Sequence, residues 1–199
     1  MRLFSYVVLH DVGFAPNPFH GMCTLATCKP TIRRTAQVDD WVIGTGSKSK
    51  NLQDHLVYAM QVSEVVDFDT YWGDPRFSRK IPTLRGSRKQ AYGDNVYHRA
   101  STGEWLQADS RHSLKDGSPN PGHIEKDTSA DAVLIGREFV YFGGCGPKIP
   151  TELRAEFGMD IVHAGRGHRS RFPPDLVDVA VKWICSLGTG VRGRPSGWE

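Results

Sequence analysis

Apolar residues along this chain come mostly in short bursts that stop at Gly, Pro, Asp or Asn, with one long helical stripe near the end. The burst LFSYVVL (3–9) is rich in β-branched and aromatic side chains and reads as a strand. WVIGTG, after two aspartates, reads as a short buried strand. In LVYAMQVSEVV, Leu56, Tyr58, Met60 and Val62 alternate with Val57, Ala59, Gln61 and Ser63, the period of two that puts side chains on opposite faces. AVLIGREFVYFGG predicts two short strands around Gly136–Glu138, and MDIVHAG predicts another. The long stripe is Leu176, Val179, Ala180, Trp183, Ile184 and Leu187, with Asp175, Asp178, Lys182 and Ser186 opposite. Pro173 and Pro174 suit the first turn of that helix, and Gly188 suits its end. Phe68, Tyr71 and Trp72 fit one or two helical turns ending at Gly73, and TELRAEFG fits a short helix ending at Gly158.

Strands do not alternate with long helices, which excludes a doubly wound parallel sheet. The pattern predicts an α+β fold: a small mixed β-barrel with peripheral short helices and a C-terminal amphipathic helix. A chain of 199 residues suits a single domain spanning 1–199. Residues 101–131, polar and rich in Ser, Asp, Gly and Pro, read as a long loop excursion from it. Hydrophobic residues at 39% and charged residues at 24% are those of a globular protein, and 21 Gly with 12 Pro imply many turns. No apolar run approaches the roughly 18 residues of a membrane span. LFSYVVL is too short for a signal peptide, and four scattered cysteines read as reduced thiols, so a cytoplasmic protein with no membrane partner is expected.

The formal charge of +3 does not by itself imply nucleic-acid binding, but its distribution is uneven. Arg76, Arg79, Lys80, Arg85, Arg88, Lys89 and Arg99 face one acid, Asp94, over residues 76–99. His163 to Arg171 holds three arginines, two histidines and no acid. Such clusters attract phosphate; a solvated basic face is the plain alternative.

Candidate chemistry follows from the loops. In 163–171 two glycines free the backbone while Arg166, Arg169 and Arg171 offer forked donors, so Arg166, His168 and Arg169 are candidate phosphate contacts. Gly44-Thr-Gly-Ser47-Lys48 follows a strand and lacks the Walker pattern; Ser47 and Lys48 remain candidate donors. Two prolines stiffen Phe14-Ala-Pro-Asn17-Pro-Phe19, which suits Phe14 for stacking on a base and Asn17 for reading a base edge. Asn95, Tyr97 and His98 form a dense polar set that suits base binding or proton transfer. Cys23 and Cys28 are spaced so that neither helix nor strand brings both sulfurs to one ion, so buried thiols and no metal are expected. No cofactor motif stands out. A Ser/His/Asp triad can be assembled from these parts, but no nucleophile elbow supports it.

The strings GFAPNPFHGMCTLATCKPTIRRTA, DDWVIGTGSK, LVYAMQVSE, YWGDPRF, GDNVYH, VLIGREFVYFGG and GRGHRSRF, in this order over roughly 3–187, resemble the second nucleotide-modification-associated domain family. The resemblance implies association with systems that modify bases in DNA, with DNA, RNA or a free nucleotide and other components of such a system as partners. It carries no catalytic residue; it adds Trp41 to Asn17, Asn95, Tyr97, His98, Arg166 and His168 as residues inside matching strings. The order of the early strands is also similar to PUA-like (EVE/ASCH/YTH-type) barrels, which implies a base pocket with Phe14, Trp41, Trp72 and Tyr97 as walls. Three functions are thus open: a module that recognises a modified base, an enzyme acting on a nucleotide or DNA base by modification or hydrolysis, and a protein that works within a larger complex.

Overall fold

The structure, a computed structural model, describes residues 1–198. In chain order, the strands are β1 (Leu3–Val8), β2 (Cys23–Leu25), β3 (Trp41–Gly46), β4 (Leu56–Gln61), β5 (Glu64–Val66), β6 (Tyr97–Arg99), β7 (Trp105–Gln107), β8 (Val133–Gly136), β9 (Phe139–Tyr141) and β10 (Gly190–Val191). The helices are α1 (Pro30–Thr35), α2 (Phe68–Gly73), α3 (Arg88–Ala91), α4 (Pro121–Thr128), α5 (Glu152–Ala155) and α6 (Pro174–Ser186). Contacts divide the chain into two compact units, the first made of Met1–Val12, Ala36–Ser63 and the chain from Gly136 on, the second of Gly13–Thr35 and Glu64–Ile135.

The first unit is built on a mixed sheet of order β1-β3-β4-β9-β10. β1 runs parallel to β3, with Leu3 opposite Trp41 and Val8 opposite Gly46, and β4 is antiparallel to both β3 and β9. β3 is buried along its whole length, as its unbroken apolar run predicts. Gly44 is required there: a Cβ would collide with the Tyr58 ring and Val8, so only glycine lets the ring lie across the strand. One side of the sheet supplies Leu3, Trp41, Ile43, Ala59 and Val140 to a core completed by Leu176, Val177, Ala180 and Ile184 of α6. The C-terminal amphipathic helix thus forms where its apolar spacing places it.

The second unit holds a three-stranded sheet, β2-β8-β5, and the hairpin β6–β7, with α1, α2, α3 and α4 around them. Leu25, Ile32, Phe68, Tyr71, Phe77, Val96, Tyr97, Leu134 and Ile135 are buried in it.

The fold is α+β with mixed sheets and short helices, as expected, but the predicted barrel is corrected. Among the described residues no pairing joins β1 to β10, so the five-stranded sheet keeps two edges. Its last strand, two residues long, offers too short a ladder to close it. Three further expectations are corrected. LVYAMQVSEVV breaks after Gln61, and β5 joins the other sheet. MDIVHAG forms no strand, because Asp160 caps the following backbone (Val162 N–H to Oδ1, 2.8 Å) and binds Arg154. Residues 101–131 are no structureless excursion: they hold β7 and α4, whose N-cap Asn120 accepts from the amides of Gly122 and His123. No helix among the described residues is long and apolar enough to cross a membrane.

Candidate active site

The site lies in the second unit and starts from an unusual stretch of backbone. Cys28 and Lys29, directly before α1, have φ of 58° and 41°. Two consecutive non-glycine residues in the left-handed region are disfavoured by roughly 1–3 kcal/mol each, so the surroundings must hold them. Arg33, almost fully buried on α1, does so from one side. Its Nε donates to the Cys28 carbonyl (2.8 Å), and its Nη1 donates to the carbonyls of Ala130 (2.7 Å) and Ala132 (2.6 Å). Its Nη2 donates to the Asp127 carbonyl. Burial lowers the Arg33 pKa to about 10, within the range where it keeps its charge at neutral pH. From the other side the Cys28 amide donates to Asp127 Oδ1 (2.9 Å). Pro30 is the first residue of α1, where its missing N–H is harmless.

This backbone sets the Cys28 thiol, half-buried, 3.8 Å from His112 Nε2. His112 Nδ1 in turn lies 2.7 Å from Asp127 Oδ2, which also accepts from the Tyr97 hydroxyl (2.9 Å). Both Asp127 oxygens are therefore engaged: one fixes the cysteine backbone and the other fixes the histidine. Asp127 itself is carried by the last turns of α4, within the polar stretch 101–131. The imidazole of His112 is held on its faces and edges as well. Phe14 meets it edge-on (centroids 4.8 Å, 69°) and His123 stacks on it (4.0 Å, 20°). Thiol, imidazole and carboxylate thus stand in the order nucleophile, base, orienter.

The electrostatics agree with this order. Burial alone would depress His112, but hydrogen bonds to Asp127 and Cys28 and the electrostatic pull of both groups outweigh it and raise its pKa to about 9. Burial would raise Asp127, yet the bonds from His112, Cys28 N–H and Tyr97 hold it below its ordinary value. Burial pushes the Tyr97 hydroxyl well up, and the Asp127 charge adds to it, so Tyr97 stays a donor. At neutral pH the resting site therefore contains an imidazolium, with Nδ1–H toward the carboxylate and Nε2–H toward the sulfur. Such a group stabilises a thiolate and can later supply a proton.

His112, His123 and Asp127 also carry ligand atoms within 4.8 Å of one another. In the structure these same atoms are engaged by one another and by Tyr97, with Asp127 Oδ2 accepting from both the Tyr97 hydroxyl and His112 Nδ1. The hydrogen-bonded array accounts for these residues better.

A second buried network braces the loop that carries Phe14. Lys80 Nζ donates to Asn17 O (3.0 Å), Asn17 Oδ1 (2.8 Å), Met22 O (2.9 Å) and Thr24 Oγ1 (3.0 Å). Thr24 and Tyr71 donate to the two oxygens of Asp94 (2.7 and 2.9 Å). Burial lowers the Lys80 pKa to about 8 against the pull of Asp94, and burial raises Asp94. Gly93 makes this possible, since a Cβ there would strike the Lys80 carbonyl.

Five of the residues singled out from sequence lie in the second unit. Phe14 and Tyr97 touch the site directly. Asn17 spends its amide on Tyr92 O (3.0 Å) and Lys80, and Asn95 donates to Tyr71 O (2.9 Å); His98 stacks on Trp72 (3.9 Å, 15°). The other six lie in the first unit. Trp41 is in the core, and Ser47 caps the turn 48–50 beside exposed Lys48. Arg166 is exposed, His168 leans on Phe4 (5.8 Å), and Arg169 pairs its backbone with Ser5. The basic segment 76–99 is partly neutralised: Arg76 binds Glu64 and Asp74, and Arg99 binds Asp69 and Asp131. The expectation of buried thiols holds for Cys23 alone, since Cys145 and Cys185 are exposed and Cys28 reaches His112. Sequence reasoning missed Cys28, His112 and Asp127 as a set because 84 residues separate the first two. The available signal was a cysteine two residues before the proline that opens a helix.

A family model described as nucleotide modification associated domain 2 matches residues 1–199. Comparisons with curated proteins and with solved structures give no match.

Proposed function

The chain belongs to the nucleotide modification associated domain 2 family, and from that premise we propose that it is an enzyme acting on a nucleotide or nucleobase through a cysteine nucleophile. The observation that carries this reading is the line from Cys28 Sγ to His112 Nε2 (3.8 Å) and from His112 Nδ1 to Asp127 Oδ2 (2.7 Å). In this step the Cys28 proton resides on His112 Nε2, so the sulfur attacks as a thiolate and bonds to an electrophilic carbon of the substrate as a carbon–heteroatom bond there gives up its electron pair to the heteroatom. The His112 imidazolium gives its Nε2 proton to the atom that receives the displaced electron pair. Asp127 keeps the ring oriented and its Nδ1–H bonded throughout. Strained backbone at the nucleophile supports the same reading, because strain of this kind gathers at functional sites.

The two exposed cysteines provide an internal standard for the test. Cys28 is expected to react with iodoacetamide at neutral pH faster than Cys145 and Cys185 in the same molecule, read by peptide mass spectrometry. His112→Ala is expected to slow Cys28 by roughly tenfold or more while leaving the other two unchanged. A Cys28 that reacts no faster than Cys145 would sink the proposal. A screen of nucleotides and base-modified oligonucleotides, with Cys28→Ala as the blank, then finds the substrate.

Recognition of a modified base without turnover is the second reading, supported by Arg166, Arg169 and Arg171, which among the described residues no carboxylate binds. It predicts that Cys28→Ala leaves every measurable function of the protein intact.

A further inference from the structure

Four arginines of this protein are paired with carboxylates: Arg2 with Asp40, Arg76 with Glu64 and Asp74, Arg99 with Asp69 and Asp131, Arg154 with Asp54 and Asp160. The segment after Gly158 differs. Gly158, Met159, Asp160, His168, Arg169, Ser170 and Arg171 line a groove of about 640 Å³ in the first unit. Its one acid, Asp160, is already held by Arg154, whose Nε reaches both carboxylate oxygens (2.8 and 3.0 Å) and whose Nη2 reaches Oδ2 (2.8 Å). Arg154 is shared with Asp54 (2.6 Å), so Asp160 is only partly neutralised, and the groove lining carries two arginines, Arg169 and Arg171, against this one carboxylate.

Arg169 is positioned without being neutralised. Its backbone exchanges hydrogen bonds with Ser5 (2.8 and 2.9 Å), and its Nη1 donates to the Asp160 carbonyl (3.1 Å). That leaves Nε and Nη2 of the guanidinium to point elsewhere. Arg171 is exposed, and among the described residues no carboxylate binds it or Arg166. His163 Nε2 donates to the Arg166 carbonyl (2.9 Å), closing the loop that brings the chain back to the groove. Half-fixed, unneutralised guanidinium forks beside a polar groove match the geometry of phosphate oxygens.

We propose that this groove binds phosphate groups, with Arg169 and Arg171 as the anion-contacting side chains. The phosphates belong to a nucleic-acid backbone or to a free nucleotide, two sources of the same chemistry. The site is distinct from Cys28, and its failure leaves the cysteine reading untouched.

The test is fluorescence anisotropy of a labelled oligonucleotide with the full chain at low salt, where exposed charges are least screened. Arg171→Gln and Arg169→Gln are compared with Arg85→Gln, an exposed arginine in the second unit. Arg171→Gln removes no internal bond and so keeps the test clear of folding effects. Each groove variant is expected to weaken binding at least about fivefold and the pair more than about tenfold, with Arg85→Gln unchanged. Competition by a nucleoside triphosphate at matched phosphate concentration supports the nucleotide source; competition by unlabelled oligonucleotide alone supports the backbone. No binding, or equal loss in all three variants, overturns the proposal. Throughout, Cys28 alkylation is expected to keep its wild-type rate in these variants.

Discussion

At the residue scale, a buried ion pair, His112–Asp127, and a buried lysine, Lys80, linked to Asp94 through Thr24, set opposite pH signatures. His112 is raised above its ordinary 6.5 to about 9 by Asp127 and Cys28 against burial. Its stabilising contribution is therefore complete below the unfolded pKa and is lost as the pH rises through about 9. Asp127 is lowered, so its share is present above the ordinary 3.8 and lost as the pH falls through its depressed value. Urea midpoints taken from about pH 6 to about pH 7.5, below the window of Lys80, should fall in the wild type by the equivalent of roughly 1 kcal/mol, and His112→Ala should flatten that slope. Lys80 has the reverse sign. Burial lowers it from 10.5 to about 8, so it opposes folding progressively as the pH drops from the first value to the second, and stability rises with pH across that window. It stays because four oxygens and Asp94 depend on it. Lys80→Met at neutral pH should cost about 3–5 kcal/mol, since it strands a buried carboxylate. Adding Asp94→Asn should recover more than about 1 kcal/mol of that loss, a coupling measured by a double-mutant cycle in urea.

At the scale of elements, α6 shows what pattern alone achieves. Leu176, Ala180 and Ile184 recur at helical spacing and are buried in the first unit's core, so Leu176→Ala should lose about 2–4 kcal/mol by thermal or urea unfolding without altering Cys28 alkylation. β1, β3 and α2 were equally legible, because each is a local run whose own residues carry its period. What could not be read was whatever depended on a distant partner. VLIG and FVY read as two neighbouring short strands, but their partners could not be read: β8 pairs with β5 and β9 with β4. MDIVHAG has strand composition, but Asp160 finds Arg154 and the segment turns instead. The candidate site is the extreme case. Cys28 is placed by the turn before α1, His112 by a loop, and Asp127 by α4, and the link is made by Arg33 bonding backbone carbonyls at Cys28, Asp127, Ala130 and Ala132. Nothing in the local period of any of these segments announces the others. Phe14 and Tyr97 were picked out for base contact on their residue type, and each touches the array, Phe14 through the His112 ring and Tyr97 through Asp127.

For the molecule as a whole, charge decides what kind of binding is available. With 25 basic and 22 acidic residues the chain carries a formal +3, too little for a strong long-range attraction to polyanions. Four of its arginines are also held internally, on Asp40, Glu64, Asp69, Asp74, Asp131, Asp54 and Asp160. Any phosphate affinity must then come from a few unneutralised side chains acting locally, and such binding has a shallow salt dependence. For a duplex oligonucleotide, log K against log salt concentration should have a slope of about −2 to −3, the value for two or three phosphate contacts. A protein coated in basic charge gives a far steeper line. Replacing both Arg169 and Arg171 by Gln should reduce the slope by nearly two, because each guanidinium that leaves a phosphate releases roughly one fewer counterion. An unchanged slope in that double variant would assign the phosphate contacts to other residues, such as exposed Lys48 or Arg88. A slope steeper than about −5 would mean that the pairs seen within the protein open when nucleic acid binds.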